Sequence, residues 1–181
     1  METLTTARLR IRPMAPGDAG FILTLLNEPS WLQFIGDRGV RTLDDAERYI
    51  REGPMAMVAR HGFGFGIVES LESGVARGLC GLTQRDHLDA PDLGFAFLPA
   101  HWGQGLAFEA AAAVLAHAAA VLKLPRILAT TRDENLASQK LLERLGLRYE
   151  RHIPHPDGSR RLRLHTWMPG APAAGVAPAG P

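Results

Sequence analysis

The chain has 181 residues, of which 46% are hydrophobic and 22% are charged, a composition typical of one globular domain. Its formal net charge of +1 argues against a dedicated nucleic-acid-binding protein, which would carry a much larger basic excess. The single cysteine, Cys80, excludes an internal disulfide framework and a cysteine-based zinc site. We therefore expect a protein of a reducing compartment.

Two stretches bear on location. The N-terminal residues METLTTARLRIRP lack the apolar core of a signal peptide, so a cytoplasmic location is expected. The segment Gly105–Leu124 is long enough to cross a membrane, but it is mostly alanine and contains Glu109, His117 and Lys123. Alanine gains little on transfer to lipid and central charges are costly, so this segment is predicted to be a core helix without a membrane partner.

The first half of the chain predicts a strand, two helices and a hairpin. Leu9–Pro13 alternates apolar and basic residues, as in a half-exposed strand. Apolar residues recur at helical spacing in Pro16–Asn27, and Thr42 with Asp45 forms a capping box at the start of a helix over Arg41–Glu52. The turn-forming sequence ESG then separates two strands. These strands are Phe65–Leu71 and Ala76–Arg85.

The second half alternates strands with helices. Leu93–Pro99 is apolar on both faces and ends at proline, as expected of a central buried strand. The alanine-rich helix follows, and after it a strand at Arg126–Thr131 and a short helix at Asn135–Gly146 that ends at glycine. The last two strands flank the turn at Asp157 and Gly158. They are Leu147–His152 and Arg160–Met168.

This order indicates one α/β domain over residues 1–169. Consecutive hairpin strands predict a mostly antiparallel sheet, and the helices between the later strands predict parallel pairing there. Residues 170–181 are rich in proline, alanine and glycine, cannot bury a core, and are predicted to be a disordered tail.

The glycine-rich turn that opens the alanine-rich helix is a candidate anion site, because unpaired backbone N–H groups point outward at a helix N-terminus. The spacing G-x-x-x-x-G-K-[ST] of a P-loop does not occur in the chain. A dinucleotide fingerprint also fails, because Phe108 stands where its third glycine belongs. Both familiar phosphate-binding motifs are therefore excluded.

The turn WGQGLA, residues 102–107, resembles the pyrophosphate loop Q/R-x-x-G-x-G/A of the GNAT acyltransferase superfamily. Trp102 departs from the usual Gln or Arg, but it is similar to the W-G-x-G-x-A variant of the branch that acetylates ribosomal-protein N-termini (RimJ/RimL type). Asn135 to Ser138, followed by LERLGL, resembles that branch's N-x-x-S-x-x-x-L-E-K-L-G-F. The hairpin ending in GLCGL is a weaker match to I-G-x-x-G-L. The resemblance extends from Leu9 to about Met168.

The resemblance implies the GNAT fold, with a mixed, mostly antiparallel sheet of about seven strands splayed between the fourth and fifth, and about four flanking helices. It implies acetyl-CoA as co-substrate and no metal ion, with the CoA pyrophosphate on the glycine-rich loop and the pantetheine arm along Leu93–Pro99. An amide of Phe97 or Leu98 would polarise the thioester carbonyl. The residues expected to contact CoA are Phe95, Phe97, Leu98, Trp102, Gly103, Gln104, Gly105, Leu106, Ala107, Asn135 and Ser138.

Each of these residues also has an ordinary structural interpretation. Gly103 and Gly105 could form a simple tight turn, and Asn135 is a plausible helix N-cap, a role compatible with a contact to pantetheine. Trp102 is expected to fill the core below the loop. Glu109 is expected to be structural and to pair with a loop amide.

Two residues are candidates for catalysis. Many GNAT enzymes protonate the departing thiolate with a tyrosine, but the matching position here is Leu142, and the resemblance assigns this role to Ser138. A buried serine that only satisfies its own helix is the alternative. Asp92, just before the predicted fourth strand, where the resembling branch commonly has Glu, is the candidate general base, and His87 and His101 are nearby in the sequence. Its alternative is a solvated residue at a strand start.

The resulting expectation is an N-acetyltransferase that moves acetyl from acetyl-CoA to a primary amine, acting as a monomer or homodimer. The acceptor is either a protein N-terminus or a small amine such as an antibiotic or polyamine, and a non-catalytic CoA-binding module is the third possibility. The resemblance places acceptor contacts in the first two helices and the last two strands. The stretch Asn27–Gly39 therefore matters for the choice of acceptor.

Overall fold

The computed structural model describes residues 1–170, so the predicted tail lies outside the described residues apart from Gly170. The strands are β1 (Leu4–Thr5), β2 (Leu9–Pro13), β3 (Phe65–Ser70), β4 (Ala76–Thr83), β5 (Asp92–Phe97), β6 (Ile127–Thr131), β7 (Arg148–Pro154) and β8 (Arg161–Trp167). The helices are α1 (Ala19–Leu26), α2 (Pro29–Phe34), α3 (Leu43–Ile50), α4 (Ala56–His61), α5 (Leu106–Ala120) and α6 (Leu136–Arg144). Within the described residues, no helix is long and apolar enough to cross a lipid bilayer.

All eight strands form one sheet in the order β1-β2-β3-β4-β5-β6-β8-β7. Neighbouring strands are antiparallel except β5 and β6, which are parallel. The predicted α/β class and the hairpin are confirmed. The parallel pairing predicted among the later strands is confirmed for β5 and β6 only, because β8 lies between β6 and β7. The predicted count of seven strands was one short, because β1 has only two residues and carries no readable periodicity.

The sheet splits between β5 and β6. β4 pairs with β5 through six residues, from Asp92 to Phe97. On its other edge, β5 pairs with β6 at one position only within the described chain, where Asp92 lies opposite Leu128. The edge of β5 beyond Asp92 therefore faces a gap, and the predicted splay between the fourth and fifth predicted strands is confirmed.

Helices cover both faces of the sheet. Helices α1 to α3 pack on one face against Ile67 and Leu79, while α5 and α6 pack on the other against Val68 and Ile127. Successive side chains of a strand point to opposite faces. In β5 this alternation sends Phe97 to the α5 face and Ala96 to the α1–α3 face, and so determines on which side of the gap each residue acts.

The helical region before β3 is longer than predicted. α2 was not predicted from the sequence, because it has only six residues, of which only Trp31 is buried. The capping box is confirmed, with Asp45 N–H donating to Thr42 Oγ1 at 3.1 Å. The helix was predicted to end at Glu52. Instead, a π-helical segment, Arg51–Met55, follows α3 directly and leads into α4. The wider turn admits Pro54, which would break a regular α-helix.

Candidate active site

The glycine-rich turn before α5 has the geometry of an anion cradle. Gly103 and Gly105 have φ values of +72° and +75°, in the left-handed region that glycine adopts most readily. Gly105 is the N-cap of α5, and its carbonyl accepts the first helical hydrogen bond, from Glu109 N–H at 3.0 Å. The N–H groups of residues 106–108 therefore have no acceptor inside the helix. With the helix dipole they create a favourable place for an anion.

Trp102 does not fill the core below this loop, and that expectation was wrong. Its side chain is 53% exposed, while Leu106 and Phe97 are buried beneath the turn. The indole N–H donates to Phe97 O at 2.8 Å, which gives this polar group the partner that it needs. The Trp102 side chain therefore lies at the surface, against the carboxyl end of β5.

The backbone of β5 presents alternate residues to the gap. Leu98 N–H donates to Arg77 O at 3.0 Å, so the backbone of Leu98 points toward β4. In an antiparallel pair of strands, the backbone N–H and C=O groups of successive residues point alternately toward the partner strand and away from it. The N–H and C=O of Phe97 and Phe95 therefore point away from β4, toward the gap. Of the two candidates for polarising a carbonyl, the Leu98 amide is already engaged, and the Phe97 amide has the suitable direction.

Asp92 lies where β5 and β6 part. It pairs with Thr83 of β4 and Leu128 of β6, and it is 1% exposed, so the alternative of a solvated residue is wrong. Arg85 Nε lies 3.1 Å and 3.0 Å from its two carboxylate oxygens. Burial raises the pKa of Asp92 above its usual range, although the charge and hydrogen bonds of Arg85 oppose this shift. A buried carboxyl of raised pKa is suited to accepting a proton.

Helix α6 brings a hydroxyl group beside the core. Asn135 Oδ1 accepts a hydrogen bond from Ser138 N–H at 3.1 Å, which confirms the N-cap. Leu142 is 1% exposed and belongs to the core cluster, so it has no chemical role. Ser138 is one turn earlier and half-buried, and within residues 1–170 its hydroxyl has no hydrogen-bond partner. The side chain is thus free to act on a group that approaches α6.

Glu109 is structural, as expected, but its partners come from the N-terminal turn between β1 and β2. Its Oε1 accepts hydrogen bonds from Thr6 Oγ1 at 2.6 Å and from Arg8 N–H at 2.9 Å. Partial burial would raise the pKa of Glu109, but these hydrogen bonds and the Arg8 guanidinium hold it below its usual range. Arg8 was not predicted from the sequence as a site residue, because it precedes the alternating strand and has the same side chain and spacing as Arg10 and Arg12.

Comparison with known proteins agrees with this geometry. The model of the acetyltransferase (GNAT) domain matches residues 8–148. The chain belongs to the GNAT acetyltransferase family. The matched range includes β5, the glycine-rich loop and α6 of this GNAT protein.

A curated relative is an uncharacterized N-acetyltransferase, p20, from Bacillus licheniformis. It is 28% identical over 151 residues, which cover 83% of this chain and 84% of the relative. Two solved structures share the GNAT fold at lower identity. RimJ from Mycobacterium smegmatis, in complex with CoA-disulfide, has a TM-score of 0.79 and 21% identity over 93% of this chain and 88% of that one. A spermidine N-acetyltransferase chimera of the Vibrio cholerae and hSSAT enzymes has a TM-score of 0.74 and 19% identity over 90% and 96%.

Proposed function

We propose that this protein transfers the acetyl group of acetyl-CoA to a primary amine by direct attack in a ternary complex. The observation that carries the proposal is the gap between β5 and β6 beside a loop with two left-handed glycines. The loop from Gly103 to Ala107 would hold the pyrophosphate through main-chain N–H groups. The gap-facing backbone groups near Phe95 and Phe97 would bind the amides of pantetheine as an added strand, although the Phe97 carbonyl already accepts the indole N–H of Trp102.

The residues around the gap can divide the chemistry between the two faces of the sheet. Phe97 N–H would polarise the thioester carbonyl while the amine nitrogen forms the new C–N bond and the C–S bond breaks. Asp92 is four residues before Ala96 in β5, so its side chain lies on the same α1–α3 face. There it would take the proton of the amine, directly or through water. Ser138, on the α6 side, would donate a hydrogen bond to the departing thiolate.

A protein N-terminal α-amine is the acceptor that we propose. The resemblance of the turn at residues 102–107 and of the motif Asn135–Ser138 to the branch that acetylates ribosomal-protein N-termini supports it.

The test is an acceptor screen with acetyl-CoA in which released thiol is measured. N-terminal peptides, aminoglycosides and polyamines form the panel, and the same peptides with a blocked N-terminus are the matched control. We expect acetylation of free N-termini and none of the blocked peptides. Preferred turnover of a polyamine or aminoglycoside would replace the proposed acceptor. Binding of CoA without acetylation of any amine would instead identify a non-catalytic CoA-binding module.

A further inference from the structure

The glycine-rich loop is held from outside by the N-terminal turn of the chain. Arg8 Nε lies 2.7 Å from Glu109 Oε2, and Arg8 Nη2 makes an ion pair with the same oxygen at 2.7 Å. The remaining nitrogen, Nη1, donates to the main-chain carbonyl of Gln104 at 3.1 Å. One guanidinium therefore joins the first turn of α5 to the loop that precedes it.

The contact with Gln104 determines the direction of the next N–H group. The carbonyl of Gln104 and the N–H of Gly105 belong to one planar trans peptide, so they point in opposite directions. Because Arg8 Nη1 holds this carbonyl, Gly105 N–H is turned away from Arg8, and it is followed in the chain by the N–H groups of residues 106–108, which have no acceptor inside α5. The left-handed φ of Gly105, +75°, is the backbone conformation that goes with this arrangement.

We infer that Arg8 is a positioning residue of the loop, which orients Gly105 N–H toward the bound pyrophosphate through Gln104. Glu109 keeps the guanidinium in place, and Thr6 keeps the carboxylate in place. The inference rests on the proposed function, because it takes the loop to be the CoA cradle. Arg8 needs no contact with the anion for this role.

The test compares two acetyl donors that differ in the pyrophosphate. Arg8→Gln removes the bridge, and Arg8→Lys keeps the positive charge but has one nitrogen, which cannot contact Glu109 and Gln104 in the same fork geometry. We expect both variants to raise the KM for acetyl-CoA about tenfold, the order expected for losing a charge-assisted hydrogen bond that is partly exposed, with little change in kcat. Activity with S-acetylpantetheine, which lacks the pyrophosphate, should stay at the wild-type level. Glu109→Gln should shift the KM in the same direction.

Arg10→Gln is the matched control, because Arg10 is two residues further along the chain, in β2, pairs with Glu69, and has a side chain 47% exposed against 52% for Arg8. It should leave the KM for both donors unchanged. A normal acetyl-CoA KM in Arg8→Lys would show that charge alone matters, and an equal loss with both donors would show a general structural effect; either result overturns the inference. Wild-type protein that neither binds nor uses acetyl-CoA would instead overturn the proposed function, before any variant is measured.

Discussion

Ser138 is the residue whose removal most directly tests the chemistry proposed for the gap. Its hydroxyl is half-buried and unpartnered within the described chain, next to a core position, Leu142, that holds no proton donor. Ser138→Ala should lower kcat by about 10²-fold, the usual effect of removing a positioned donor, and leave CoA affinity nearly unchanged. The measurement is kcat beside a CoA thermal shift, with Ser73→Ala in the β3–β4 turn as control. A kcat near the wild-type value would leave water as the proton source.

Asp92 allows a second test that does not depend on the acceptor. Burial raises its pKa in the folded protein above the ordinary 3.8, so the folded state binds this proton more tightly than the unfolded chain. The resulting stabilisation is fully present below the unfolded pKa and is lost as pH rises through the folded pKa. The difference in thermal midpoint between wild type and Asp92→Asn should therefore shift in favour of the wild type as pH falls. A shift in the opposite direction would show that the Arg85 ion pair outweighs burial.

At the scale of elements, the loop before α5 can be tested by adding a side chain to a left-handed glycine. Gly105→Val and Gly74→Val have nearly the same starting φ, +75° and +69°, so each should lose about 1–2 kcal/mol of stability from backbone strain. A Cβ at Gly105 would lie 3.7 Å from Arg8 Nη2, whereas Gly74 has nothing within 4 Å. Gly105→Val should lose the CoA thermal shift, and Gly74→Val should keep it. Retained CoA affinity in folded Gly105→Val would reduce the loop to a structural turn.

The position that an added Cβ would take indicates why Gly105 is required. Within residues 1–170, the nearest atom to an added Cβ would be Arg8 Nη2, at 3.7 Å. The substitution would act by displacing the Arg8 guanidinium and by changing the backbone conformation that orients the loop N–H groups. Gly103, whose added Cβ would meet nothing within 4 Å, depends on its positive φ alone.

For the whole molecule, binding of CoA should appear as stability. A ligand at about a hundred times its Kd stabilises the folded state by about 2.7 kcal/mol if it does not bind the unfolded chain. For a chain of 181 residues this corresponds to a rise of roughly 5–11 °C in the thermal midpoint. NAD and ATP should give a much smaller rise, because the motifs that bind them are missing. No shift with CoA would contradict the assignment of the loop.

Local features of the fold were predictable because neighbouring residues decide them. The capping box of Thr42 and Asp45 needs contacts three residues apart, and it formed as predicted. The N-cap at Asn135 and the hairpin around ESG depend on equally local geometry. The exceptions are also local: α2 is short, and a π-helical segment containing Pro54 follows α3, where the sequence predicts that the helix ends at Glu52.

The sequence by itself indicated the family, the order of the longer elements and the glycine-rich loop, because each is encoded in short motifs and in the period of apolar residues. The tertiary structure alone decided that Asp92 is buried against Arg85, that Trp102 lies outside the core, and that Arg8 differs from Arg10. Arg8 and Glu109 are 101 positions apart in the chain, so no local pattern can indicate their pairing. The physical reason is that burial and long-range hydrogen bonds arise only when distant elements pack together in the sheet.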